Sequence, residues 1–254
     1  MYLRVKIPAP ILNIADFSSV FNVETGIIAC DENGHIRALE FIALEGFLLE
    51  VERQISDTIF QIKTPIYPQG PLFVDKRFTE KAAKSESIRQ AHGFDKKQPV
   101  GKLIERLLSF LGMSYLWGGN WSQGIPEMLF FYPPVNTLDV QSKDKWQLKG
   151  VDCSGLLFEI THGYLPRNTS QLISFGHSIG NVILSQNNLP LAKDVDMIIS
   201  KVMPLDLIVY KGHVMIVLDR ERLIESRENF GVVISPIKER LMKLQHNFYV
   251  RRWI

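Results

Sequence analysis

One cysteine in this chain stands among the neighbours that a reactive thiol needs. Within VDCSGLL, residues 151–157, Cys153 lies between Asp152 and Ser154, two residues before Gly155. Asp152 is a strong N-cap residue, so the segment predicts a helix opening at Cys153. A thiol in the first turn feels the positive end of the helix dipole and its free N–H groups. Both favour the thiolate, which is the reactive form. Gly155 would leave room for a substrate backbone to come close. The competing reading is a buried, inert cysteine, and the polar residues on both sides weigh against it.

A nucleophilic thiolate needs a histidine to hold the ion pair and to protonate a leaving amine. Six are present. His35 and His92 belong to the amino-terminal region and the segment after it. His162 follows Cys153 so closely that it should point away, His177 follows a turn, and His246 has no evident partner. His213 opens the apolar run HVMIVL (213–218) after the turn YKGH, a good position from which to face a groove. Its competing reading is a partly buried structural role. A third group commonly fixes the other ring nitrogen. If the turn at DRE (219–221) centres on Asp219, Glu225 faces His213. If it centres on Arg220, Arg227 takes that place and Glu225 becomes a diagonal neighbour on the same face. A solvated strand glutamate is the alternative for Glu225. No His, Cys, Asp or Glu grouping has metal-ligand spacing, so neither metal nor cofactor is expected.

The elements that must position these residues fall into two parts. The 254 residues, 46% hydrophobic, are enough for one domain or two. Residues 1–78 carry short β-branched and aromatic runs at 33–41, 47–53, 58–67 and 71–78, which read as a small antiparallel barrel. Residues 79–99 are polar and charge-dense, fitting a linker or a surface helix. From 100 to 254 the pattern predicts helices followed by strands. Leu103, Leu107, Leu108 and Leu111 share one helical face, and strands are expected at 206–210, 213–218, 222–226, 231–237 and 248–254. Residues 123–150, with three prolines, read as an inserted loop.

Composition excludes several classes. Net charge is +2 with no basic stripe, which argues against nucleic acid as a partner. Two cysteines cannot make a disulfide framework and fit a reducing compartment. The opening residues hold charges and prolines where a secretory signal needs an unbroken apolar run. No stretch approaches the roughly 20 apolar residues of a membrane span. The expectation is a soluble, cytoplasmic monomer with no membrane partner.

Five segments in order resemble the NlpC/p60 family of cysteine peptidases: SYLWGGN (114–120), DCSGL (152–156), LPRNTSQ (165–171), PLDLIVY (204–210) and HVMIVL (213–218). The resemblance implies an α+β, papain-like domain, with helices packed on an antiparallel sheet, that cleaves peptidoglycan peptides. It makes Cys153 the nucleophile, His213 the base and Tyr115 an oxyanion donor. Asp152 and Ser154 would bind the amino-terminal part of the substrate, and Arg167 would shape the groove. Two departures stand out. The family's third residue is commonly His, Asn or Gln, and here it is Glu225. The other is the insertion at 123–150, which separates GGN from DCSG and would be either a lid over the groove or a strut to the first domain; Leu205 also stands where the family's Pro-Gly-Asp-Leu step has glycine. Residues 1–78 are similar, more weakly, to a bacterial SH3-like domain that precedes the peptidase in a cytoplasmic wall-recycling subgroup. That subgroup cleaves between γ-D-Glu and a diamino acid and requires a free amino-terminal L-Ala. The resemblance nominates Glu45 and Tyr67 to hold that amine. An acyltransferase using the same Cys–His pair, and a non-catalytic binder of wall fragments, are the competing functions.

Overall fold

The computed structural model describes residues 1–83, 94–184 and 189–254; His92 and the middle of the expected linker, residues 84–93, lie outside them. The class is α+β. An amino-terminal antiparallel sheet is built from β1 (Tyr2–Val5), β2 (Ala9–Leu12), β3 (Leu39–Ala43), β4 (Leu48–Gln54), β5 (Ile59–Lys63), β6 (Leu72–Asp75) and β7 (Thr79–Ala82). Their order is β3-β2-β6-β5-β4-β1-β7, and no pairing among the described residues closes the two edges. Strands β2 and β6 are buried along their whole length, as four consecutive apolar or core-facing residues require.

Three expectations about this part need adjustment. The run at 33–41 becomes strand only from Leu39, because Asp31 Oδ1 accepts from Asn33 N and His35 N and holds a turn there. The run at 58–67 ends at Lys63, before Pro65. The sheet also reaches past residue 78, since β7 pairs with β1 from Thr79 to Ala82.

Helix α1 (Val100–Leu108) buries Leu103 and Leu107, but the chain leaves the helix before Leu111, which is exposed. Residues 123–150 are not a plain loop. They form α2 (Glu127–Phe131) and α3 (Val140–Trp146) and pack on the first sheet. Trp146 meets the ring of Phe21 at 6.0 Å, and the Tyr132 hydroxyl donates to buried Asp75 at 2.7 Å. The insertion is therefore a strut against the first sheet.

Helix α4 (Cys153–Ile160) is buried at every position. Its apolar residues point to opposite sides, so both faces must be enclosed, and α4 lies between two cores. Phe158 meets Phe47 of the first core edge-on at 6.0 Å, while Leu156, Leu157 and Ile160 enter the second. The second core is roofed by β8 (His177–Val182), β9 (Leu207–Tyr210), β10 (His213–Val217), β11 (Arg222–Arg227), β12 (Gly231–Pro236) and β13 (Phe248–Arg252). Their order is β8-β13-β9-β10-β11-β12. Helices α5 (Ala192–Lys201) and α6 (Ile237–Met242) cover the far face, where Val195, Ile198, Ile237 and Leu241 form a third cluster. The five carboxyl-terminal strands fall where the apolar runs indicate; β8 is additional. No helix among the described residues is long and apolar enough to cross a membrane.

Two backbone positions explain sequence choices. Leu205 has φ 70°, in the left-handed region that favours glycine, so a leucine there carries strain. Complete burial and an N–H bond to Val217 O at 2.8 Å hold it there. Gly155 gives space to the protein and not to a substrate: a Cβ there would lie 1.9 Å from the Gly119 carbonyl oxygen.

Glu159 of α4 is buried, accepting from Ser122 N at 2.8 Å and from Ser122 Oγ at 2.5 Å. Burial pushes its carboxyl up to about 7, against those hydrogen bonds. A carboxyl raised on folding stabilises the fold fully below its unfolded value near 4.5 and loses that contribution as pH rises through 7. Glu159→Gln, which cannot ionise, should gain on the wild type by up to about 3 kcal/mol between pH 4.5 and pH 8 in urea unfolding.

Candidate active site

Asp152 builds the site from the helix end. Its backbone is extended and its Oδ1 accepts from Gly155 N at 2.7 Å, the expected N-cap. Oδ2 accepts from Gly118 N at 3.1 Å. Arg167, 2% exposed, closes the carboxylate from the other side, with Nη1 at 3.0 Å from Oδ1 and Nη2 at 2.6 Å from Oδ2. The same guanidinium donates to Ser154 Oγ at 2.8 Å and to Asn120 Oδ1 at 3.2 Å. Asn120 in turn bonds the backbone of Ile42 on β3 in both directions, each at 2.8 Å. Asp152, Ser154 and Arg167 thus meet in one network, which reaches the first sheet through Asn120.

Cys153 follows Asp152 as the first helical residue, so its N–H has no intrahelical acceptor. It is 6% exposed, and its Sγ lies 3.8 Å from the Gly212 carbonyl oxygen. Gly212 belongs to the two-residue turn that pairs Tyr210 with His213. The turn is pinned by Gly212 N donating to Thr169 Oγ1 at 3.1 Å. His213 therefore starts β10 directly across from the nucleophile.

The register Ile216↔Ile224 and Val217↔Leu223 centres the next turn on Arg220. Glu225 is accordingly the diagonal neighbour of His213, and it still reaches the ring: Oε2 lies 2.7 Å from Nε2. With Nε2 taken, Nδ1 is left for the thiolate. Burial lowers the affinity of His213 for its proton, but the Cys153 thiolate and Glu225 outweigh it and raise the imidazole to about 9. Glu225 is fully buried. Burial works against its charge, yet bonds to His213 and Arg240 bring its carboxyl down to about 2. The Arg240 contacts are a fork, Nε to Oε1 at 2.7 Å and Nη2 to Oε2 at 3.0 Å. No spacing rule points to Arg240, fifteen residues on in a polar helix.

Tyr115 runs beside Val151 in a parallel bridge next to the nucleophile. Burial, then the charges of Asp152, Cys153 and Glu228, push its phenol upward. It remains a neutral donor at any working pH. Tyr67, from the first sheet's loop, reaches the same area. Burial and a bond to Glu40 push its phenol up to about 12, with Asn168 and Arg167 acting the other way. The carboxylate beside Tyr67 is thus Glu40 of β3, steadied by Asn13 Nδ2 at 2.6 Å. Glu45 is exposed in the turn five residues later, and no described bond ties it to the site. Alternation along β3 would have offered Glu40.

None of the other described histidines contacts Cys153. His162 meets Arg106 at 2.8 Å, and His177 is exposed. His35 lies 3.2 Å from Glu228, with its ring 5.9 Å from that of Tyr115. His246 has a partner after all, stacking on Tyr210 at 4.8 Å. Among the described residues no group of three His, Cys, Asp or Glu side chains is placed to hold a metal ion.

No family model matches the chain, and no curated protein does. Among solved structures, an NlpC/p60 family protein from Bacillus cereus is similar over 99% of this chain, with 16% identity and a TM-score of 0.38. This chain spans 63% of that protein's length. RipD from Mycobacterium tuberculosis, described as a non-catalytic NlpC/p60 domain protein adapted to peptidoglycan binding, matches 62% of this chain and 99% of its own. Its identity is 20% and its TM-score 0.38. NlpC2 from Trichomonas vaginalis matches all of this chain and 72% of its own, at 11% identity and TM-score 0.36. At these values the likenesses decide nothing about the chemistry.

Two outcomes follow from the geometry. Arg167→Ala leaves the Asp152 charge buried without its counter-charge, and should cost about 3–5 kcal/mol in denaturant unfolding. Glu225→Gln removes a charge that favours the His213 imidazolium. The ion pair persists as pH rises until the imidazole titrates near 9, so the variant's alkaline limit should fall by at least about one pH unit.

Proposed function

We propose that the chain is a cysteine peptidase of the NlpC/p60 kind that cleaves the γ-D-glutamyl–diamino acid bond of small peptidoglycan peptides. The observation that carries this is the line Cys153–His213–Glu225. A thiol at a helix start faces a histidine whose far nitrogen is held by a buried carboxylate. That is the arrangement for nucleophile, base and orienting group.

In this reading the Cys153 thiolate attacks the γ-glutamyl carbonyl. The charge that develops on oxygen meets the Tyr115 hydroxyl and the Cys153 N–H, each donor contributing about 3 kcal/mol. The His213 imidazolium gives its proton to the departing amine. Neutral His213 then takes a proton from water, which attacks the thioester and returns the thiol. The leaving diamino acid would occupy the cleft of about 360 Å³ bordered by His35, Ser114, Tyr115 and Glu228.

The free amino terminus of the substrate would lie at Glu40, Tyr67, Asp152 and Ser154. Asp152 is already matched by Arg167, whereas no cation among the described residues pairs with Glu40. An ammonium would supply that missing charge. Glu40 takes the role first considered for Glu45. The free peptide as substrate, and a cytoplasmic site of action, belong to the same proposal.

The test is L-Ala-γ-D-Glu-meso-diaminopimelate with mass spectrometry of the products. L-Ala-D-Glu and free diaminopimelate should appear, be lost in Cys153→Ala, and fall at least about tenfold on acetylation of the substrate. Glu40→Gln should raise KM at least about tenfold with kcat little changed, and Glu45→Gln should do neither. A new amide would identify an acyltransferase. Binding without turnover would leave a wall-fragment binder and end the peptidase reading.

A further inference from the structure

We propose that Arg240 is a positioning residue for His213: its guanidinium balances the buried charge of Glu225 and fixes the direction in which that carboxylate meets the ring. The inference rests on the peptidase reading for its kinetic part, though not for its spectroscopic part.

A neutral amide opposite His213 would orient the ring and need no partner of its own. A carboxylate is different. Glu225 is fully buried, and a buried charge is tolerated only when paired and hydrogen-bonded. It also pulls on the imidazolium at 2.7 Å, strongly enough to hold a proton that must be released to the leaving group. Arg240 answers both needs. Its fork uses both carboxylate oxygens, at 2.7 and 3.0 Å, so the carboxylate plane cannot rotate away from Nε2. Its charge makes the set of thiolate, imidazolium, carboxylate and guanidinium neutral overall. Without it, one negative charge would be left over in a dry site.

The other groups around the ring cannot substitute. From α4 there is Cys153, whose thiolate is part of the reacting pair. From β11, Arg227 reaches Glu225 Oε1 only at 3.9 Å, with its guanidinium 3.8 Å above the Phe230 ring. From β9, the neutral Tyr210 lies with its ring 5.6 Å from that of His213 and bonds Arg240. His246 stacks on the outer face of Tyr210. Arg240, 15% exposed and held by Tyr210, is the cation built into the position.

The test follows the His213 ring proton by NMR across pH in the wild type, Arg240→Gln, Glu225→Gln and the double variant E225Q/R240Q. All are made in a Cys30→Ser background, because Cys30 is exposed and free. The His213 midpoint should move up by at least about half a unit in Arg240→Gln and down in Glu225→Gln. Against the tripeptide, Arg240→Gln should lose about tenfold in kcat with KM within about twofold. Adding Arg240→Gln to Glu225→Gln should then cost less than about threefold, because no leftover charge remains. A midpoint that stays or falls in Arg240→Gln overturns the proposal. So does an equal kcat loss in both backgrounds, which would mark an ordinary structural role. If no variant turns over the peptide, the peptidase reading fails, and the titration order still decides the part played by Arg240.

Discussion

The site depends on one buried ion pair. Asp152 and Arg167 are almost fully removed from water, and every polar atom of the carboxylate is in use. One side of the pair caps the helix that begins with Cys153. Another holds Gly118, Gly119 and Asn120 against that helix, and Asn120 carries the contact across to β3. A pair of this kind adds little net stability over an apolar equivalent, but removing either partner is costly. Its value here is geometric. It sets the helix start, the Gly118–Asn120 segment and the first sheet in one register, so the thiol has a single position relative to all three.

The charges next to that frame follow the same logic. The chain keeps a carboxylate where a neutral amide would also orient a histidine, and it matches that carboxylate with a half-buried guanidinium. Both networks join an acid and an arginine, one at the helix start and one behind the histidine. Between them the nucleophile faces a ring held at a fixed angle. The second sheet supplies the rigidity, since His213 and Glu225 come from neighbouring strands and cannot drift apart without breaking their pairing.

Much of this was legible in the chain. The carboxyl-terminal strands showed as apolar runs between turn residues, and the N-cap at Asp152 could be read from residue type alone. The His213–Glu225 pairing was narrowed to two registers, and only the turn's hydrogen bonds chose the diagonal one. What escaped the sequence depends on long-range packing. Arg240 lies in KERLMK with nothing local to mark it. Arg167 was named only through the resemblance, and its bond to Asp152, like that of Asn120 to β3, spans a separation no periodicity records. The role of Gly155 was misread because the close neighbour is the chain's own Gly119 backbone. The insertion at 123–150 looked like a loop because its prolines broke the pattern, whereas Phe131, Tyr132 and Trp146 pack on the first core. Leu205 shows burial overriding a backbone preference.

The central claim is that Cys153 works as a thiolate paired with His213. The most direct measurement is the rate of Cys153 carbamidomethylation by iodoacetamide at pH 6, in a Cys30→Ser background, followed by mass spectrometry. A thiolate held by imidazolium predicts a rate at least about tenfold above that of an unfolded cysteine peptide at the same pH, lost in His213→Ala. A rate equal to the peptide's, and indifferent to His213→Ala, would contradict the account.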